Sequence, residues 1–144
     1  MNLLKSVFVY LHEARLKEGY ATGSSPTTGN IVLACSLTML IVSGVLSAAL
    51  IFPDVADWFD DMFKDIFGRS SGKTIGRLIG IALILLIYPI LKFTVGTEES
   101  FNNAINQYEA MSDEDKDKTA KKGKWFFLLS VSSIAIPFIL GAIL

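Results

Sequence analysis

Residues 31–52 read IVLACSLTMLIVSGVLSAALIF, an apolar stretch that carries no charged side chain. A Thr-Thr-Gly-Asn segment that favours a turn and a helix cap precedes the stretch, and Pro53 ends it. Because a hydrocarbon core about 30 Å thick needs about 20 helical residues, the stretch is long enough to cross a bilayer. It therefore predicts a membrane-spanning helix.

The composition indicates the same class of protein. The chain has 144 residues, of which 51% are hydrophobic and 19% charged, and its mean hydropathy is +0.48. Soluble domains carry roughly 25% charged residues, so this chain is too apolar for an ordinary soluble enzyme. Its formal net charge of −1 provides no overall field that would attract nucleic acid, and we expect no nucleic-acid partner.

Two further stretches have the length of a span. Residues 125–144 carry no charge, and residues 75–95 carry Arg77 near one end and Lys92 near the other. Long basic side chains near helix ends place their charge among the lipid headgroups, so residues 75–95 remain compatible with crossing. The predicted fold class is all-α, an integral membrane protein with three transmembrane helices plus amphipathic interfacial helices.

Apolar and amphipathic segments alternate along the chain. In order, we predict an amphipathic interfacial helix at 1–18, a flexible linker at 19–30, transmembrane helix 1 at 31–52, an amphipathic outer-surface helix at 53–68, transmembrane helix 2 at 75–95, a cytoplasmic helical loop at 97–123 and transmembrane helix 3 at 125–144. The apolar stripe of segment 1–18 fits either an in-plane helix at the cytoplasmic membrane surface or a docking helix for a cytoplasmic partner.

The distribution of lysine and arginine predicts the orientation, because cytoplasmic loops carry the excess of these residues. With the N-terminus inside, nine of them lie on the cytoplasmic side and four lie outside. The inner set is Lys5, Arg15, Lys17, Lys92, Lys116, Lys118, Lys121, Lys122 and Lys124, and the outer set is Lys64, Arg69, Lys73 and Arg77. We expect a protein of the bacterial inner membrane, with its N-terminus in the cytoplasm and its C-terminus outside.

Residues 53–68 form the most amphipathic segment. Its large apolar residues recur at three- and four-residue steps, while its aspartates take the other face. Such an aromatic-rich face fits the lipid headgroup boundary or a groove on a partner protein. The residues predicted to make this contact are Trp58, Phe59, Met62, Phe63 and Phe67. One helix face offers too few aspartates to supply the oxygen ligands that calcium needs, so we predict a solvated acidic face.

The segment 97–123 predicts two helices. Apolar residues at helical spacing indicate the first, and Ser112 with Asp115 three residues later resembles a capping box that starts the second. Pairs of opposite charge, four residues apart, follow this cap and stabilise a solvated helix. These pairs are Glu114 with Lys118 and Asp117 with Lys121.

Few residues are suited to catalytic chemistry. His12 and Cys35 are the only histidine and cysteine, and they fall in different predicted segments. The string GRSSGKT at 68–74 resembles the end of a phosphate-binding loop. The residue before it is Phe67, whereas such a loop needs glycine at that position. We expect no catalytic, cofactor-binding or metal-binding residues and no cofactor, and therefore a protein that is not an enzyme.

Small residues recur along the predicted spans and let helix backbones approach closely. We predict helix-packing contacts at Gly72, Gly76, Gly80, Ser36, Ser43, Gly44, Ser47, Ser133 and Gly141. Packing among the spans of one chain is favoured over contacts with another protein. Pro89 and Pro137 each remove a backbone donor, so we expect both to kink their helices and to leave carbonyl groups that need another neighbour.

These patterns favour binding over chemistry. We expect a non-enzymatic accessory or scaffold subunit of a larger bacterial inner-membrane complex, in contact with membrane lipid and with a membrane-protein partner or further copies of itself. One alternative is an immunity or inhibitor protein against a membrane-acting toxin, and another is a small homo-oligomeric channel. A bundle of three spans buries little of its surface, which favours assembly over independent action.

Overall fold

The computed structural model describes residues 2–20, 23–67 and 72–143, and the regular structure in these ranges is helical, without a strand. The helices are α1 (Leu3–Lys17), α2 (Pro26–Ile51), α3 (Pro53–Phe67), α4 (Gly72–Phe93), α5 (Glu98–Glu109), α6 (Asp113–Ser133) and α7 (Ala135–Ile143). The predicted all-helical fold is therefore confirmed for this part of the chain.

The start of α2 is set by a polar cap. The Ser25 hydroxyl accepts a hydrogen bond from the Thr28 backbone N–H at 3.2 Å, and Pro26 occupies the first turn, where a missing N–H costs nothing. α2 therefore begins before the apolar stretch at 31–52. The Thr-Thr-Gly-Asn segment, expected as a turn and cap, is part of the helix.

Ser112 caps α6, as the sequence predicts. Its hydroxyl accepts a hydrogen bond from the Asp115 N–H at 3.3 Å and donates one to the Asp115 carboxylate at 2.9 Å. The predicted ion pairs are also present, Lys118 with Glu114 at 2.7 Å and Lys121 with Asp117 at 2.6 Å. Exposed pairs of this kind contribute roughly 0.3 to 0.5 kcal/mol each, so they support the helix without anchoring it.

α6 joins the polar loop directly to the apolar C-terminal segment. It runs from Asp113 to Ser133 without interruption, and α7 continues after a bend of 41°. The sequence predicts a boundary between a loop at 97–123 and a span at 125–144. The structure has one helix through that boundary, in which a glycine at position 123 meets a neighbouring helix rather than ending its own.

The main core lies around α1. Residues Ser6 to Val9 have no exposed surface, because α1 packs against α6, α5 and the beginning of α2. The rings of Phe8 and Phe101 meet edge to face, with their centroids 5.4 Å apart. The other buried apolar residues of this core are Val7, Val9, Leu33, Ala34, Leu91 and Ile105. We call α1, α5 and residues 113–124 of α6 the head.

This packing corrects the interpretation of segment 1–18. Both sequence-based hypotheses left its apolar stripe for an external surface, either lipid or a partner. In the structure the stripe is covered by the chain itself, since α5 and α6 provide matching apolar positions such as Phe101, Ala104 and Ala120. Burial of this apolar area against α5 and α6 stabilises the head.

One helix of the described chain, α2, is long and apolar enough by itself to cross a membrane. Two bent pairs raise the number to three if each pair counts as one span. They are Ile79–Phe93 with Glu98–Glu109, bent by 69°, and Asp113–Ser133 with Ala135–Ile143, bent by 41°. α4 runs through Pro89 without interruption, whereas the chain bends between Ser133 and Ala135, close to Pro137.

Candidate functional site

Large apolar side chains cover the outside of the structure away from the head. On α4, Leu85 is 67% exposed and Phe93 is 77% exposed, and on α7 Phe138 is 74% exposed. Further exposed residues of this kind are Ile41, Val45, Leu46, Leu50, Ile51, Ile81, Leu86, Ile90, Leu128, Leu129, Val131, Ile136, Ile139 and Ile143. We call this set of residues the apolar belt. Exposed apolar side chains in this number mark contact with lipid or with another protein.

The head presents a different surface. Its outer positions on α5 and α6 carry charged side chains, among them Glu98, Glu99, Lys121 and Lys122. Trp125 follows these charges and is 62% exposed, at the junction between the head and the apolar belt. An exposed tryptophan between charged and apolar surface is typical of the membrane–water interface.

A charged cleft of about 300 Å³ lies between α1 and α6. On the α1 wall of the cleft, Glu13 forms an ion pair with Lys17 at 2.5 Å, four residues along the same helix. The hydrogen bond from Lys17 to Glu13, together with their attraction, raises the pKa of the Lys17 ammonium. Burial raises the pKa of the nearby Tyr108 phenol, and the negative charge of Glu13 raises it further. The cleft is a solvated network of opposite charges.

Four of the serines predicted to pack helices lie inside the bundle. Ser43 on α2 donates a hydrogen bond to the carbonyl oxygen of Ser133 at 2.5 Å. The Ser133 hydroxyl in turn donates to the carbonyl of Ser130 at 2.7 Å. The hydroxyl oxygens of Ser36 and Ser47 are buried, and neither has a hydrogen-bond partner among the described residues.

The glycines predicted to pack helices behave differently from one another. A Cβ added to Gly141 would lie 3.8 Å from Leu50 on α2, an ordinary contact. A Cβ added to Gly44 or Gly80 would meet nothing described within 4 Å, so no close helix contact forms there within the described chain. Gly72 and Gly76 lie outside the residues whose surroundings the structure describes. Gly44 has no close contact because it is exposed on α2 and faces away from the bundle.

The aromatic helix α3 packs against α2 and keeps Trp58 accessible. The Trp58 side chain is 60% exposed and meets the Phe59 ring edge to face, with a centroid distance of 4.9 Å. Phe59 and Met62 are half-buried. The side chains of Phe63 and Phe67, predicted to share this surface, lie outside the described residues.

The sequence analysis missed four close glycine contacts, at Gly23, Gly29, Gly96 and Gly123, and the contact at Gly123 lies within the head. A Cβ on Gly123 would lie 2.1 Å from the Ser6 carbonyl oxygen, and one on Gly29 would lie 2.5 Å from the Phe8 ring. Gly96 meets the Asn30 side chain, whose amide donates a hydrogen bond to the Gly96 carbonyl at 2.8 Å. These glycines do not follow a repeat, so periodicity offers no signal for them.

The chemistry available in the described residues is limited. They contain no group of three or more His, Cys, Asp or Glu side chains placed to hold a metal ion. His12 packs its ring on Gly23, and Cys35 is half-buried on α2. No family model, curated protein or solved structure matches this chain.

Proposed function

We propose that this chain is an integral membrane protein of the bacterial inner membrane that acts by binding, as an accessory or scaffold subunit of a larger membrane complex. The carrying observation is the apolar belt, on which side chains as large as Leu85 and Phe138 remain more than half exposed after the chain has folded. Water is a poor solvent for such a surface, whereas lipid and apolar protein surfaces cover it at no cost.

Three crossings account for the belt. α2 crosses once, α4 crosses a second time, and the apolar part of α6 with α7 crosses a third time. In this arrangement α5 is not part of a span, because Glu98 and Glu99 are exposed at its start and its apolar side packs in the head. The lysine-rich head then lies in the cytoplasm, as the excess of lysine on that side favours.

A binding role is favoured because the described helices carry no metal-ligand cluster and the chain has one histidine and one cysteine. α3 offers the clearest surface for a protein partner. Trp58 is accessible there, and aromatic residues such as tryptophan dominate the energetics of protein interfaces.

Photo-cross-linking in the membrane tests this proposal. A photoreactive phenylalanine analogue replaces Trp58 in one variant and Trp125 in a matched variant, since these are the two tryptophans of the chain. We expect a stoichiometric cross-link to a different membrane protein from position 58 and cross-links to lipid from position 125. A ladder of identical chains from position 58 would favour the channel, and cross-links to lipid alone would exclude α3 as a partner surface.

A charge variant provides a second readout. Trp58→Asp is expected to abolish co-purification of the partner in mild detergent while the chain stays in the membrane fraction after alkaline extraction. Asp57→Ala is the matched control, because Asp57 is the exposed neighbour on the same helix. Recovery of the partner with Trp58→Asp at the parental level would contradict the assignment.

A further inference from the structure

The lysines of α6 lie where the head meets the apolar belt. Lys118, Lys121, Lys122 and Lys124 precede Trp125 on this helix, and from Lys118 onward the sequence has no aspartate or glutamate. We propose that these lysines and Trp125 form a binding surface for anionic phospholipid. The inference rests on the proposed membrane location, because it needs Trp125 to lie at the level of the lipid headgroups.

Helical geometry places basic and aromatic side chains on one side of α6. At about 100° per residue, Lys121 and Lys122 lie at the two edges of an arc of about 100° that also contains Trp125. Gly123 lies on the opposite side of the helix, where it packs against α1. Lys121 is 65% exposed and Lys122 is also exposed. This side of α6 therefore faces lipid or water and is not covered by the head.

The same side of α6 continues into the apolar belt. Leu129 lies one turn after Trp125 and is 61% exposed, and its neighbour Leu128 is 40% exposed. A lipid beside α6 therefore contacts leucine with its acyl chains, Trp125 near its glycerol group and lysine at its phosphate. This continuity favours a lipid over a soluble phosphate compound, which would leave the leucines uncovered.

The distance from Trp125 along the helix separates the lysines from the acids of α6. At 1.5 Å per residue, Lys124 is about 1.5 Å and Lys121 about 6 Å from Trp125, within a headgroup layer about 5 to 8 Å thick. Asp115 is about 15 Å and Asp113 about 18 Å away, beyond the screening length of about 8 Å at physiological salt. The headgroups therefore meet the positive end of the head.

Two of the lysines are available to a lipid phosphate. Lys118 and Lys121 pair with acids of α6. Lys122 and Lys124 form no ion pair in the part of the chain that the structure describes. The headgroup of phosphatidylglycerol has a net negative charge, whereas phosphatidylcholine carries a compensating cation. Unpaired lysines at the headgroup level therefore favour the anionic lipid.

The fluorescence of Trp125 tests the proposal with the full chain in vesicles. A Trp58→Phe background leaves Trp125 as the only tryptophan, and lipids with a nitroxide near the start of one acyl chain quench it on contact. We expect phosphatidylglycerol to bind there at least about fivefold more tightly than phosphatidylcholine, since each lysine near an anionic surface contributes about a factor of five. The preference should fall below about twofold in 1 M salt, where charges are screened within about 3 Å.

Charge variants show whether this surface makes the selection. Lys122→Gln combined with Lys124→Gln should reduce the preference by about fivefold or more. Lys122→Arg combined with Lys124→Arg should keep it, because both charges remain. Lys116→Gln is the matched control and should also keep it. This variant removes a lysine of the same helix that lies about 14 Å from Trp125, on the side of Gly123.

Several outcomes would overturn the assignment. Equal binding of the two lipids, or an unchanged preference in the double glutamine variant, would exclude the lipid surface. An equal loss in Lys116→Gln would show that overall charge makes the selection. Competition by soluble glycerol phosphate at equal concentration would show a site for a free phosphate. A chain that resists alkaline extraction but has no lipid preference would refute this inference alone, whereas a chain that is extracted would refute the proposed membrane location as well.

Discussion

The hydroxyl of Ser43 on α2 donates a hydrogen bond of 2.5 Å to the backbone carbonyl of Ser133 on α6. In a continuous helix that carbonyl would accept from the N–H of residue 137, but position 137 is a proline. The chain bends by 41° between α6 and α7, and the freed carbonyl finds its donor on a neighbouring helix. The proline at 137 therefore frees the carbonyl through which α2 forms a hydrogen bond with α6.

We expect Ser43→Ala to destabilise the bundle by about 1 to 2 kcal/mol, because it leaves the buried Ser133 carbonyl without this donor. The free energy of unfolding in mixed detergent micelles measures the effect. In a Pro137→Ala background, the restored N–H at residue 137 should reduce the cost of Ser43→Ala to a few tenths of a kcal/mol. The same cost in both backgrounds would show that the two groups are not coupled.

Gly123→Ala is expected to separate α1 from α6. The added methyl would lie 2.1 Å from the Ser6 carbonyl and 2.9 Å from the Tyr10 Cβ, so the helices have to move apart. A cost of about 1 to 3 kcal/mol follows from overpacking of this kind. Limited proteolysis within α1 measures it, and Gly44→Ala serves as the control, since a methyl there meets nothing described within 4 Å. Equal protection of α1 in both variants would contradict the close contact.

The head should lose stability at alkaline pH. Tyr108 and Lys17 both have a raised pKa in the folded chain, from burial and Glu13 at Tyr108 and from the bond to Glu13 at Lys17. Groups with a raised folded pKa stabilise the fold below their ordinary pKa and lose this contribution as the pH rises through the folded value. The loss therefore begins above the ordinary values of 10.0 for Tyr108 and 10.5 for Lys17.

Unfolding measured between pH 8 and pH 12 checks this expectation. Tyr108→Phe should remove the contribution of the phenol to the loss of stability at alkaline pH. Glu13→Gln should reduce the contributions of both Tyr108 and Lys17, because Glu13 raises the pKa of both groups. Lys122→Gln, away from this network, should decline as the parent does. A steeper loss of stability with pH in Glu13→Gln would contradict the expectation that Glu13 raises the pKa of both groups.

Reporter fusions test the orientation. An enzyme that is active only outside the cytoplasm should be active when fused after Leu144 and inactive when fused after Glu109, because the lysine excess holds the head inside. Replacing Lys116, Lys118, Lys121, Lys122 and Lys124 by glutamine should reduce the difference between the two fusions. An active reporter enzyme after Glu109 together with an inactive one after Leu144 would establish the opposite orientation.

The local features of the fold were predictable from neighbouring residues. The length and polarity of residues 31–52 identify α2, and Ser112 with Asp115 identifies the start of α6. Capping and four-apart ion pairs depend on groups within one turn of each other, which the order of residues alone specifies. The partner of Ser43 was not predictable, because it lies 90 residues away in the chain.

The amino-acid sequence by itself determined that the chain is helical, that α6 begins after Ser112, and that the chain is rich in apolar residues. Only the tertiary structure decided that the stripe of α1 is buried in the head, that Gly123 and Gly96 are points of close approach, and that Asn30 lines a cleft. The physical reason is distance along the chain. Hydropathy and capping act between near neighbours, whereas burial of Phe8 or contact between Gly123 and Ser6 exists only once separate helices meet.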